Sequence, residues 1–211
     1  MIDSIDNVVQ VTVVGLCAVI SFVQAVMSRG RREWILLGLF YGAAFAGTLY
    51  WLIYLALYEG SDPYNPFIAY LSWNTSYYFL ILDLLYMKGG KLLKLPAPFM
   101  LMIPAFTIGM FAYYITFGSV ISNFITLVTM TILIWNAVDG QLLIRNGQEP
   151  DGSKSLFYQA VLLFCTDEYL LWTSSCIWDS SDITNPYYLF DILLSLCYMF
   201  FIPAMRKAVD E

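Results

Sequence analysis

Residues 8–32 read VVQVTVVGLCAVISFVQAVMSRGRR: an uncharged run, then three arginines within five residues. Coiled as a helix, the uncharged part is long enough to cross a hydrocarbon core of roughly 30 Å. The arginines mark the side on which it ends, because the cytoplasmic flanks of membrane spans collect Lys and Arg. The same pattern recurs along the chain. Predominantly apolar runs fall at about 8–27, 34–58, 66–87, 96–117, 119–144, 155–178 and 185–205, which predicts an all-α, integral membrane bundle of seven transmembrane helices. Hydrophobic residues make up 60% of the 211 positions and charged residues only 12%, with a mean hydropathy of +0.68. A water-soluble domain of this size has no interior large enough to hide so much apolar surface. The short connections leave one domain over 1–211, with no attached kinase or DNA-binding module.

All ten basic residues fall on one side of this arrangement. Arg29, Arg31 and Arg32 follow the first run, Lys88, Lys91 and Lys94 the third, Arg145 and Lys154 the fifth, and Arg206 and Lys207 the seventh. The other side carries Asp3, Asp6, Glu59, Asp62, Asp179 and Asp182. This asymmetry predicts an N-terminus outside and a C-terminus in the cytoplasm, in a plasma or cytoplasmic membrane. The net charge of −6 then belongs to an acidic outer face and gives no reason to expect a nucleic-acid partner. No basic segment precedes the first run, so it is read as a retained span and not as a cleaved signal.

Cys17, Cys165, Cys176 and Cys197 all lie inside apolar runs, where buried thiols are expected and a disulfide framework is not. The chain has no His, which argues against bis-His haem, a His-liganded zinc site and a Ser-His catalytic couple. No catalytic, metal or cofactor site is therefore expected, and the chain is not read as an enzyme. Ser61-Asp62-Pro63-Tyr64-Asn65-Pro66-Phe67 and Ser181-Asp182-Ile183-Thr184-Asn185-Pro186-Tyr187 introduce the third and seventh runs alike. Asn-Pro is a common helix start. It also suits a three-plus-one-plus-three plan of two parallel triples joined by the fourth helix.

Five carboxylates interrupt the apolar runs: Asp83, Asp139, Asp167, Glu168 and Asp191. A charged carboxylate at the bilayer centre costs about 2.5–3.5 kcal/mol on insertion scales, so such groups usually face the bundle interior and mark a site or pathway. No basic residue is expected beside them at membrane depth. Each must be protonated, hydrated or matched to an incoming cation. Asp83 and Asp139 lie near the cytoplasmic ends of their runs, within reach of water. Asp167 and Glu168 point about 100° apart on one helix, so only one of them can face a given cavity. Tyr50, Trp51, Tyr54, Trp73, Tyr77, Tyr78, Tyr169 and Trp172 add aromatic rings. Many of these suit an interfacial belt, yet carboxylates with aromatics are also what a cationic ligand needs.

Residues 70–84, YLSWNTSYYFLILDL, resemble the third helix of the microbial (type 1) rhodopsins: a Tyr, a counterion position two residues on, a Trp, and an Asp ten residues past it. Thr48-Leu49-Tyr50 resembles that family's Thr-x-Tyr, Trp172 its pocket Trp, and Asp191 its second counterion. The resemblance implies a seven-helix bundle in which Trp73 and Trp172 sandwich a ligand, Tyr50 and Asp191 stand beside it, and Asp83 handles protons from the cytoplasmic side. This sequence departs from the pattern in having Ser72 at the primary counterion position, Ala69 at the preceding Arg position, and Glu168 and Tyr169 at the pocket Tyr and Pro. Ser195 stands where the retinal-bearing Lys belongs, and no Schiff base can form there. Covalent retinal is thus not expected.

The ligand site is expected at Tyr50, Ser72, Trp73, Glu168, Trp172, Asp191 and Ser195, with Asp83, Glu168 and Asp191 able to take a proton or cation. A receptor or accessory protein for a small apolar or cationic ligand, acting through a cytoplasmic partner, is the first functional expectation. A small-solute or cation transporter, proton-coupled in one form, is the second.

Overall fold

A computed structural model of the chain describes residues 2–58, 66–90, 95–148, 152–178 and 184–210. These contain seven α-helices: α1 (Ile2–Met27), α2 (Arg32–Leu57), α3 (Phe67–Met87), α4 (Ala97–Tyr114), α5 (Val120–Arg145), α6 (Ser155–Ile177) and α7 (Pro186–Asp210), with a 3₁₀ turn at Gly152–Lys154. Every apolar run is helical. The largest boundary difference is at α1, which starts six residues before its run; an acid such as Asp6 near a helix start favours helix by complementing the N-terminal end of its dipole. Five helices are long and apolar enough to cross a membrane: α1, α2, α4, α5 and α7. The other two are interrupted by polar side chains, Ser72, Asn74, Thr75, Ser76 and Asp83 on α3 and Thr166, Asp167, Glu168, Thr173, Ser174 and Ser175 on α6. Glu59, Asp62, Lys91, Lys94, Asp179 and Asp182 lie outside the described residues. So do residues 61–65 and 181–183 of the paired Asn-Pro segments.

The first helix shows how the bundle is oriented by its sequence. Asp6, Gln10, Val14, Cys17, Ser21 and Ala25 are buried, while Val8, Val9, Leu16, Val19, Ile20, Val23 and Val26 are exposed. The buried set steps by four or three residues, which is one face of a helix. Polarity is therefore inside and the outer surface is apolar, as expected for a helix solvated by lipid. The helix is closed by Arg29 and Gly30 at φ 56° and 80°, with Gly30 N–H donating back to the Ala25 carbonyl at 2.7 Å. This left-handed ending turns the chain into α2. Arg31 also donates to the Val209 carbonyl on α7.

Helices α1, α2, α3, α5, α6 and α7 close a ring in which each packs on its neighbour, α7 returning to α1. α4 lies outside it against α5. Close approaches between helices depend on glycine. A Cβ at Gly47 of α2 would meet the Trp73 ring at 2.8 Å, and one at Gly140 of α5 would meet the Tyr158 ring at 2.6 Å. One half of the ring is filled by aromatic side chains. The Phe40 and Phe164 rings lie 5.8 Å apart and each is 5.4–5.7 Å from Tyr198 and Phe201, and Tyr41 donates to the Tyr198 carbonyl at 2.6 Å.

At the same end the structure corrects two expectations. Asp139 is fully buried, and it does have a basic neighbour: Lys88 Nζ donates to Asp139 Oδ2 and to Asn136 Oδ1, both at 2.7 Å. Lys88 follows its run directly, so it can fold back between α3 and α5 where the sequence suggested a solvated loop cation. Asp83 is likewise out of water, at 0% exposure.

Candidate functional site

At the end of the bundle where α1, α3, α5 and α7 begin, the helices stand apart around a cavity of about 460 Å³. Its residues come from five helices. α1 supplies Asp6 and Gln10 from its inward face; α2 supplies Trp51; α3 supplies Tyr70, Trp73 and Tyr77; α6 supplies Glu168 and Trp172; α7 supplies Tyr187, Asp191 and Tyr198. Tyr77 and Tyr198 also belong to the aromatic packing below, through Phe164 at 5.8 and 5.7 Å. That packing forms the floor.

The carboxylates are held by neutral donors. Gln10 Nε2 donates to Asp191 Oδ1 at 2.8 Å, tying α1 to α7. Glu168 accepts from the Trp172 indole N–H at 3.1 Å. Neither bond supplies positive charge, and no Lys or Arg is among the described residues that line the cavity. The charge of Glu168 and Asp191 is then balanced by protons or by a cation that enters. Among the described residues no three metal-ligating side chains lie close enough to hold a metal ion. Trp and Tyr rings in the lining suit a larger, softly charged group.

Trp73 and Trp172 come together, as the resemblance implies, but they meet edge to face. Their ring centroids are 6.1 Å apart at 67°, and Tyr70 contacts both at 5.7 and 5.6 Å. This leaves a wall with no slot for a flat chain between the indoles. Trp73 is fixed by its N–H to Thr48 Oγ1 at 3.3 Å and by Trp51 at 5.9 Å.

Behind the wall lies a second cavity of about 400 Å³ between α3, α5 and α6. Tyr70, Trp73, Tyr77, Glu168, Trp172 and Ser175 line both spaces. The rest of its polar lining is uncharged: Asn74, Tyr114, Ser119, Ser122, Asn123, Thr126 and Tyr169, with the Cys176 thiol.

Of the residues expected at the site, Trp73, Glu168, Trp172 and Asp191 are gathered around the first cavity. Tyr50, Ser72 and Ser195 line neither space. Tyr50 lies 6.4 Å from Tyr54 ring to ring, and Ser72 bonds its own helix at the Ile68 carbonyl, 3.1 Å away. Asp83 lies ten residues beyond Trp73, roughly 15 Å along α3; neither of its carboxyl oxygens has a hydrogen-bond partner. Asp167 is buried but lines neither cavity, so Glu168 is the member of that pair that faces the site.

Asp6 and Gln10 are site residues that sequence reasoning left out. Asp6 read as part of an acidic flank, and Gln10 as one polar residue in a long apolar run. Their spacing of four, continued by Val14, was the available signal. No family model matches the chain, and neither a curated protein nor a solved structure does.

Proposed function

We propose that this protein is a seven-helix membrane receptor, N-terminus outside, that binds a small organic cation in the cavity at its outer end and relays occupancy to a cytoplasmic partner. The observation that carries this reading is the cavity's lining: Glu168 and Asp191 with a cage of Trp and Tyr rings, and no basic group among the described lining residues. Cation–π contacts of about 0.5–2 kcal/mol each, added to charge pairing in a water-poor site, favour an alkylammonium over a hydrated metal ion. The orientation is supported by the described Arg and Lys residues, which all lie at or beyond the opposite ends of their helices. Crossing by α3 and α6 is supported by their outward residues, among them Ile68, Leu71, Leu163 and Leu170.

The aromatic floor favours a receptor over an open channel. A transporter of the three-plus-one-plus-three kind needs that floor to part, and the ring of α1–α3 and α5–α7 with α4 outside suits such a plan. Kinship with lysine-less relatives of the microbial rhodopsins is part of the proposal at the level of the bundle plan. The contact between Trp73 and Trp172 speaks against an intercalated polyene.

Trp51, Trp73, Trp172 and Trp178 line the cavity, so intrinsic fluorescence of the purified protein reports its occupancy. Titration with tetramethylammonium is expected to change emission saturably, and the neutral isostere tert-butanol is expected not to. Equal responses to both would overturn the cation site. Radiolabelled tetramethylammonium should not accumulate in proteoliposomes; saturable uptake would replace receptor by transporter.

A further inference from the structure

We infer that the ligand is a dication: two ammonium groups joined by an alkyl linker, one paired with Glu168 and the other with Asp191. The inference rests on the cation-site reading above and adds the charge and chemical class of the molecule.

The first cavity holds two half-sites of like composition on different helices. On α6, Glu168 lies one turn before Trp172, whose indole N–H donates to its Oε2 at 3.1 Å; on α7, Asp191 lies one turn after Tyr187, and all four residues line the cavity. Each half-site joins a carboxylate to an aromatic ring, the pairing that favours an alkylammonium. Neither acid is used up. Asp191 accepts from Gln10 at 2.8 Å, and a carboxylate can accept about four hydrogen bonds, so these neutral donors leave acceptor capacity on both. The other acids of the bundle interior differ. Asp139 is paired with Lys88, while Asp83 and Asp167 have oxygens sealed in the packing, out of a ligand's reach.

Charge then sets the class of molecule. Glu168 and Asp191 are close enough to act on each other electrostatically, and no Lys or Arg is among the described residues that line the cavity. A single cation would pair with one acid and leave the other without a counter-charge in a water-poor space. Two cationic heads on one molecule match both. Size agrees: at about 460 Å³ the cavity falls in the range that encloses a whole organic molecule, which is more than an ammonium head alone requires. Leu55, Leu171 and Leu194 in the lining suit an alkyl linker.

The test measures affinities by tryptophan fluorescence of the full-length protein in detergent. The probes are bis(trimethylammonium) alkanes, from the trimethylene to the decamethylene linker, each beside the alkyltrimethylammonium of the same length. At one linker length the dication should bind at least roughly tenfold tighter than its singly charged match. Glu168→Gln and Asp191→Asn should each cut that advantage to roughly threefold or less, because each leaves one head group without its partner. Equal affinity of the two series at every length overturns the dication and leaves the cation site standing. An advantage that survives either substitution overturns the pairing. The comparison of the two series uses the unsubstituted protein, so the inference can fail even where a variant does not fold. If neither series nor tetramethylammonium binds, the cation site itself falls and the inference with it.

Discussion

The two ends of the bundle bury carboxylates in opposite ways. At one end Asp139 accepts from Lys88 at 2.7 Å in a sealed setting, and Lys88 also donates to Asn136 at 2.7 Å. At the other, Glu168 accepts from Trp172 and Asp191 from Gln10, both neutral donors, and both acids line open space. The first arrangement contains its own counter-charge and needs nothing from outside. The second lacks a cation and has room for one. The difference separates a structural ion pair from a binding site, although both consist of acids within apolar helices.

The sharpest way to break this contrast is at the sealed end. Lys88→Met leaves Asp139 buried without its cation, which should cost about 3–5 kcal/mol of stability, read as thermal unfolding in detergent. Adding Asp139→Leu should recover much of that loss. If Lys88→Met is tolerated within error, the pair is not structural and the comparison collapses.

At the open end the order of effects should reverse. Glu168→Gln or Asp191→Asn keeps an acceptor for the neutral donors, so stability should hold within about 1 kcal/mol. Tetramethylammonium affinity should fall roughly thirtyfold, a loss of about 2 kcal/mol. A large loss of stability with unchanged affinity would make these acids structural as well.

A smaller change sharpens the picture at the wall between the cavities. In Gly47→Ala the new methyl would sit 2.8 Å from the Trp73 ring and 3.1 Å from the Ala69 carbonyl. The indole must move off its seat, at about 1.5 kcal/mol of overpacking. The expected result is a modest drop in melting temperature together with a shifted tryptophan emission.

Much of the fold was legible because the bilayer criterion is one of length and composition. A run such as 119–144 must be helical if it spans lipid at all, since no other open segment satisfies its own backbone. The site was legible only in part. Glu168 and Asp191 stood out as expensive residues, whereas Gln10 did not, because an amide in an apolar run has many uses. Asp139 was misread because its partner lies 51 positions away, on another helix, and no local spacing announces such a pair. Tyr50 and Ser72 were drawn in by a pattern along the chain, but the face each presents depends on how its helix is rotated in the ring.

The sequence by itself therefore determined that the chain is helical and built for a membrane, where its helices fall, and which side chains are costly enough to need a purpose. Those facts follow from the free energy of single residues and segments in lipid. Which acids are paired, which face open space, and how two tryptophans divide one space into two were decided only by the tertiary structure. They depend on the rotation and register of one helix against another, and those are set by packing among residues far apart in the chain.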